Sequence, residues 1–279
     1  MPPLLTALDE AGLDAAVADW DDPEVDWTGF RAAILRSTWD YAERCAEFLA
    51  WAERTAKLTV LLNPPPVIRW NTDKHYLRDL ARAGVPTVPT QFVEPGEHGA
   101  RALAGFLESG TEEWVVKPAV GAGSRDAARY AAGEEGAACD HIQRLLEAGR
   151  SVLLQPYLDQ VDHHGETALM YFAGRFSHAI RKGPLLRRGG APTDALFAAE
   201  QIAPRVPSAD ELRVAERALA ALPFAAPLYA RVDLIPSMDG GPCLLELELT
   251  EPSLFFAHAA DAAERFVGLC CRLPAVQMT

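Results

Sequence analysis

Four ionisable residues near the C-terminus are spaced for shared chemistry. In "LYARVDLIP" (228–236) Arg231 and Asp233 stand two apart, and in "GPCLLELELTEP" (241–252) so do Glu246 and Glu248. Residues two apart on a strand share a face. The turn signal Met238-Asp239-Gly240-Gly241 separates the two stretches, so an antiparallel hairpin would bring three carboxylates and a guanidinium to one polar patch. Like charges placed this way repel. Hard oxygen ligands of this kind suit a divalent cation, magnesium above all. The plainer alternative is a solvated strand face whose charges are incidental.

Other constellations could complete such a site. "VVKPAVGAGSRD" ends a buried-looking strand at Lys117, after which Gly121 and Gly123 let the backbone approach an anion and Ser124 adds a donor. It is not a P-loop, because GxxxxGK[ST] is missing. In "SVLLQPYLDQV" a strand breaks at Pro156 and leaves backbone groups free to read a base edge, although a simple strand end is the plainer alternative. "HAIRK" sets Arg181 and Lys182 at a strand end, where either could reach phosphate oxygens. "ILRSTWDY" closes an early strand with Arg36, Thr38, Trp39 and Asp40, the position where parallel sheets bind ligands. The seven histidines form no metal pattern, and no nucleophile elbow is present.

The elements that must position these residues follow from periodicity. A helix is expected over 4–12, then strands in "DAAVADW" and "RAAILRSTWDY", a helix over 42–56, and the strand "VLLNPPP". This is the rhythm of a small α/β domain over 1–69, opening on a helix where a strand is usual. Asn71 or Thr72 is expected to cap a helix ending at Gly84. Helices over 98–109, 135–149, 208–221 and 257–271 alternate with strands in "EEWVVKP", "AARYA", "SVLLQPY", "ETALMYFAG", "RFSHAIRKG" and the terminal hairpin. This part is α+β and divides into 70–157 and 158–279. A glycine- and proline-rich loop is expected over 183–195.

Composition sets outer limits. The chain has 279 residues, is 49% hydrophobic and carries a net charge of -13, so a nucleic-acid partner is disfavoured, though local lysines and a metal can still hold a polyanion. No apolar run is long enough for a membrane span. Five cysteines without zinc spacing point to a reducing, cytoplasmic setting. Nothing in the pattern sets an assembly; a homodimer is the commonest symmetric state.

In their order these motifs resemble an ATP-grasp ligase. Lys74, Lys117 with its glycine-rich loop, "QPYL", Arg-x-Asp and Glu-x-Glu run through the final 210 or so residues. "ELELTEPS" is similar to the Glu-x-Asn-x-Thr-x-Pro segment of bacterial glutathione synthetase, and "ARVD" resembles the Arg-x-Asp of D-alanine–D-alanine ligase. With "LRSTWDY", "NTDKHYL" and "HAIRKGP" the whole chain looks most similar to ATP-grasp enzymes of the D-cycloserine synthetase type. The resemblance implies an ATP-grasp fold with an N-terminal parallel-sheet domain. It implies ATP as cofactor, with Lys74 and Lys117 on the α- and β-phosphates and Gly121, Gly123 and Ser124 over the β- and γ-phosphates. Gln155, Pro156, Tyr157 and Leu158 would hold adenine, and Glu166 either takes the ribose or sits on the surface.

Asp233, Glu246 and Glu248 would hold two magnesium ions, with manganese as an alternative. Glu248 stands where most such ligases carry asparagine, and its extra charge implies tighter metal binding. Arg181, Lys182 and Arg231 would act in catalysis. Arg36, Thr38, Asp40 and Ser253 would contact a small amino-acid-like substrate, whose carboxylate becomes an acyl phosphate attacked by a nitrogen. The type implies an internal ureido nitrogen, as in closing O-ureido-D-serine to D-cycloserine. An intermolecular carboxylate–amine ligase, a kinase on the same fold and a binding module without catalysis are the competing readings.

Overall fold

Helix α1 (Pro2–Glu10) turns Leu4, Ala7 and Leu8 onto Phe266 and Val267 of the last helix, so the two ends of the described chain share one apolar cluster. The computed structural model describes residues 2–184, 186 and 201–272; most of the loop expected over 183–195 lies outside them. The strand expected in "DAAVADW" is absent. Residues 14–19 are exposed, because alanine methyls offer too little apolar surface to anchor a strand face. Trp20 instead packs edge-on against Phe48 and Trp51, at 5.4 and 5.9 Å.

Strands β1 (Ala32–Ile34) and β2 (Val60–Leu62) pair in parallel, with α2 (Cys45–Thr55) between them. The three prolines then open a helix, α3 (Pro65–Asn71), where a proline in the first turn loses no hydrogen bond. Neither Asn71 nor Thr72 caps the next helix, α4 (Tyr76–Arg82): both belong to the end of α3. The Asn71 amide has better-placed partners. It donates to the Leu247 carbonyl at 2.7 Å and accepts from the Leu249 and Thr250 amides at 2.6 and 3.1 Å, tying this segment to the Glu-x-Glu strand. Leaving such buried groups unpaired costs roughly 1–3 kcal/mol each.

An antiparallel sheet of four strands follows: β3 (Gln91–Val93), β4 (Glu113–Pro118), β5 (Ala128–Ala131) and β6 (Val152–Pro156), ordered β3-β6-β4-β5. Helices α5 (Gly99–Leu107) and α6 (Glu135–Glu147) pack Leu103, Ile142 and Leu145 onto Trp114, Val116 and Leu154. Only glycine fits at Gly99, where a Cβ would come within 2.6 Å of Ile142. The short α7 (Val161–His164) leads to the second antiparallel sheet.

That sheet contains β7 (Glu166–Phe172), β8 (Arg175–Lys182), β9 (Ile202–Arg205), β10 (Tyr229–Pro236) and β11 (Pro242–Glu248), ordered β11-β10-β7-β8-β9. Strand β9, interrupted by Pro204, carries too weak an alternation to be expected from sequence. Helix α8 (Ala209–Ala220) starts with a capping box of Ser208 and Glu211, and Ala215 and Ala218 pack in one cluster with Val232, Leu234, Leu244 and Leu247. Along β10 the residues between these, Tyr229, Arg231 and Asp233, face the other way. The helix expected over 257–271 is shorter: a turn of 3₁₀ helix at Phe256–His258 is separated from α9 (Ala262–Cys270) by Asp261 in the left-handed region, φ 54°. No helix among the described residues is long and apolar enough to cross a membrane.

Candidate active site

The hairpin places the four ionisable residues as neighbours. Across β10 and β11, Asp233 lies opposite Glu246 and Arg231 opposite Glu248. The ladder shifts between Asp233 and Leu234, leaving Leu245 as an extra residue on β11. Because of this bulge, Leu244 and Leu247 both reach the core while Leu245 lines a cleft beside the two glutamates. The cleft, of about 420 Å³, lies within the range of small-ligand sites, roughly 300–1,000 Å³.

Cations alternate with the acids along its floor. The Lys74 ammonium lies 3.0 Å from Glu246 and donates to the Gly121 carbonyl at 2.8 Å. Lys182 donates to Asp233 at 3.0 Å and is ion-paired with Glu166. Arg231 spans Asp233, at 2.8 Å, and Glu248. Burial works to raise the Asp233 pKa, but Arg231 and Lys182 outweigh it and hold the carboxyl well below the usual range. Burial pushes Glu248 up to about 7 against the pull of Arg231, and Glu166 up to about 8 against that of Lys182.

These placements revise several sequence expectations. Glu166 is not on the surface: it is buried on Lys182 and lines the cleft. Of the adjacent pair on β8, only Lys182 enters the cleft. Arg181, on the opposite strand face, donates to the His163 and His164 carbonyls. Asp40 accepts from the Trp20 indole at 3.0 Å and pairs with Arg44, so it braces the N-terminal region and does not face a ligand. Thr38 does not line the cleft, and its hydroxyl is buried without a partner among the described residues. Arg36 donates to the Pro252 carbonyl behind the wall that Ser253 lines.

At the other end of the cleft, Gln155 is held by Thr90 at 2.8 Å, and Pro156, Tyr157 and Leu158 follow it along the wall. The Tyr157 amide is already taken by the Glu113 carbonyl at 2.8 Å, which removes one of the groups expected to read a base. Arg129, which sequence reasoning passed over, stacks 3.4 Å above the Tyr157 ring. Val88, Val115, Ile235 and Leu245 supply a flat apolar lining. The glycine-rich loop, residues 121–124, covers the middle of the cleft. Its Ala122 is buried among Tyr41, Phe48 and Trp51, and Arg125 pairs with Glu43. Gly123 adopts φ 61°, which glycine takes without strain. Trp39, noted at the end of the early strand, lines the cleft, and so does Tyr41, which was missed because an aromatic residue in a loop carries no pattern.

The donor set fits magnesium in its chemistry: Glu246 and Glu248 are 27% and 25% exposed and turn carboxylates toward the cleft. Asp233, 2% exposed, lies beneath them with both oxygens engaged. Among the described residues no three acidic, histidine or cysteine side chains are arranged as a metal site.

Comparison with known proteins decides the family. Over 273 residues, 95% of this chain and 91% of the other, it is 45% identical to the cycloserine biosynthesis protein DcsG of Streptomyces lavendulae. The chain belongs to the D-cycloserine synthetase (DcsG) family. Residues 1–63 match the N-terminal domain description of D-cycloserine synthetase DcsG. The crystal structure of D-cycloserine synthetase DcsG superposes with a TM-score of 0.89 at 44% identity, covering 97% of this chain and 93% of that one. The ATP-grasp ligase PsnB, bound to a minimal precursor, shares the fold at 19% identity, with a TM-score of 0.65 and coverage of 98% and 95%. This DcsG relative is an ATP-dependent ligase with the ATP-grasp fold.

Lys117 gives the family site a pH signature. Burial, reinforced by Lys74 and opposed by Glu246, pulls its pKa down to about 8. Were Lys117 to hold a polyphosphate, binding would need the charged ammonium and would raise its pKa. ADP affinity should therefore be level below about pH 8 and fall by up to ~10-fold per unit above it. Calorimetric titration between about pH 6.5 and 9.5 measures this, and Lys117→Arg should flatten the profile.

Proposed function

We propose that this enzyme activates the carboxylate of O-ureido-D-serine with ATP and closes the ring of D-cycloserine. The observation that carries the reading is the register of Asp233 on Glu246 and Arg231 on Glu248 beside Lys74 and Lys182. The name of the 45%-identical relative supports it. Adenine would lie between the apolar lining and the Gln155–Leu158 segment, with the phosphates at Lys74, Lys117 and the loop of Gly121, Gly123 and Ser124. Glu246, Glu248 and Asp233 would hold magnesium, which when bound supplies positive charge against phosphoryl oxygens.

The chain's own cations let two anions meet. Lys74 and Lys117 hold the phosphates while Arg231 draws the substrate carboxylate in line with the γ-phosphate. The carboxylate oxygen takes the phosphoryl group and ADP leaves. The ureido nitrogen bonded to oxygen then attacks the acyl carbon and displaces phosphate, with the Arg231 guanidinium opposing the developing oxyanion. Loss of the carbamoyl group by hydrolysis leaves the free ring. The glycine-rich loop, anchored on the N-terminal aromatic cluster, keeps water from the acyl phosphate.

The test incubates enzyme, ATP and magnesium with O-ureido-D-serine. ADP, inorganic phosphate and cycloserine are expected in equal amounts. ADP without inorganic phosphate would favour a kinase, and turnover that requires an added amine would favour an intermolecular ligase.

A further inference from the structure

Two buried polar groups on the cleft wall stand outside the charge network. Three cations of the cleft floor are ion-paired, Lys74 with Glu246, Lys182 with Asp233 and Glu166, and Arg231 with Asp233 and Glu248, while Lys117 makes no ion pair among the described residues. Glu251 is the acid left over. It is 6% exposed and lines the cleft, yet its carboxyl makes no hydrogen bond or ion pair among the described residues. Tyr41, 5% exposed and stacked on Phe48, lines the same wall with a phenol oxygen equally without a partner there.

Both groups line the same cleft. One comes from the N-terminal region and the other from the segment after β11, so both parts of the chain wall the cleft. A buried carboxyl with no donor loses its hydration uncompensated. Neither nearby guanidinium is free to repay that loss, since Arg231 is committed to Asp233 and Glu248 and Arg36 donates to the Pro252 carbonyl. A cation with several N–H donors would repay it. The cleft floor already serves anions, so the substrate's negative end has its place and its positive end does not.

We propose that Glu251 and Tyr41 form the subsite for a primary ammonium group of the substrate, the Glu251 carboxylate and the phenol oxygen each accepting one of its N–H bonds. Such a subsite holds the ammonium away from Lys74 and Lys117 and thereby orients the carboxylate toward Arg231. It rests on the reading of the substrate as an amino-acid-like carboxylate. Burial, reinforced by Glu248, also pushes the Glu251 pKa well above the usual range.

The experiment is calorimetry on the full chain loaded with ADP and magnesium, using O-ureido-D-serine and its counterpart without the α-amino group, 3-(ureidooxy)propanoate. A buried charge-assisted hydrogen bond corresponds to roughly 10- to 100-fold in affinity, so wild type should prefer the amino ligand by at least ~10-fold. Glu251→Gln should bring the two ligands within ~2-fold of each other, and Tyr41→Phe should cut the preference several-fold, both with ADP affinity unchanged. Equal binding of both ligands by wild type, or an undiminished preference in Glu251→Gln, overturns the subsite. If Glu251→Gln fails to bind ADP, Tyr41→Phe decides: a reduced preference supports the subsite and a full one overturns it. ADP release is scored separately, so a wild type that discriminates but does not turn over refutes the cyclisation and not the subsite.

Discussion

Replacing Glu246 with glutamine leaves the protein folded and lowers turnover by about 10³-fold or more. The two effects separate because of where the side chain sits. It is partly exposed to the cleft, and among the described residues its one direct ion pair is with Lys74, at 3.0 Å. Glutamine keeps the volume and can still accept from that lysine, so the stability cost is on the order of 1–2 kcal/mol. The charge is what catalysis uses. Burial raises the pKa of Glu246, yet Lys74 and Lys117 outweigh it and keep the carboxyl ionised. An amide in its place holds a divalent cation poorly and leaves the two lysines without a counter-charge. ADP release measured against magnesium concentration, alongside thermal unfolding, checks both halves. Wild-type turnover in this variant would remove Glu246 from the metal set.

Arg231→Met should lose both stability and rate. Arg231 is buried between Asp233 and Glu248, so its removal strips two carboxylates of a cation that Lys182 alone cannot replace. Breaking a buried pair from one side costs about 3–5 kcal/mol. The loss should depend on pH. Without Arg231 the folded-state pKa of Asp233 rises above the unfolded value and that of Glu248, already above it, rises further, so the folded variant binds more protons than the unfolded chain. Its stability therefore falls as pH rises, and the gap from wild type should be wider near pH 8 than near pH 5.5. Turnover should fall by ~10²–10³-fold through loss of the oxyanion donor. Arg231→Lys restores a charge without the two-pronged geometry, so it should recover stability more than rate. Denaturant midpoints at the two pH values, with single-turnover rates, distinguish the roles. A variant as stable as wild type would mean that Asp233 and Glu248 are neutralised by something else.

How far the site could be read beforehand varied residue by residue. Arg-x-Asp and Glu-x-Glu were legible because a strand has period 2, which puts each pair on one face whatever surrounds it. The same rule says that Arg181 and Lys182 point to opposite sides, but not which one points inward. That depends on the partner strand, where Glu166 lies opposite Lys182. Glu166 itself looked like any polar residue at a loop end, and its burial exists only once β7, β8 and β10 are assembled. Asp40 was misplaced for a related reason. Its indole partner, Trp20, is twenty positions away in a stretch that reads as a strand and is not one. The leucine–glutamate alternation of β11 was also less regular than it looked, since the bulge at Leu245 breaks it.

By itself, then, the amino-acid sequence determined which side chains share a face, which loop is rich enough in glycine to cover an anion, and the order of helices and strands that marks the family. These are local properties, set by the backbone period and by the conformational freedom of single residues. Only the tertiary structure decided that Asp233 lies beneath Lys182 and Arg231, that Asn71 ties α3 to β11, and that Glu251 and Tyr41 both line the cleft without partners among the described residues. Those relations join residues as many as 210 positions apart, and their energies come from burial and charge pairing that arise only when distant segments exclude water together.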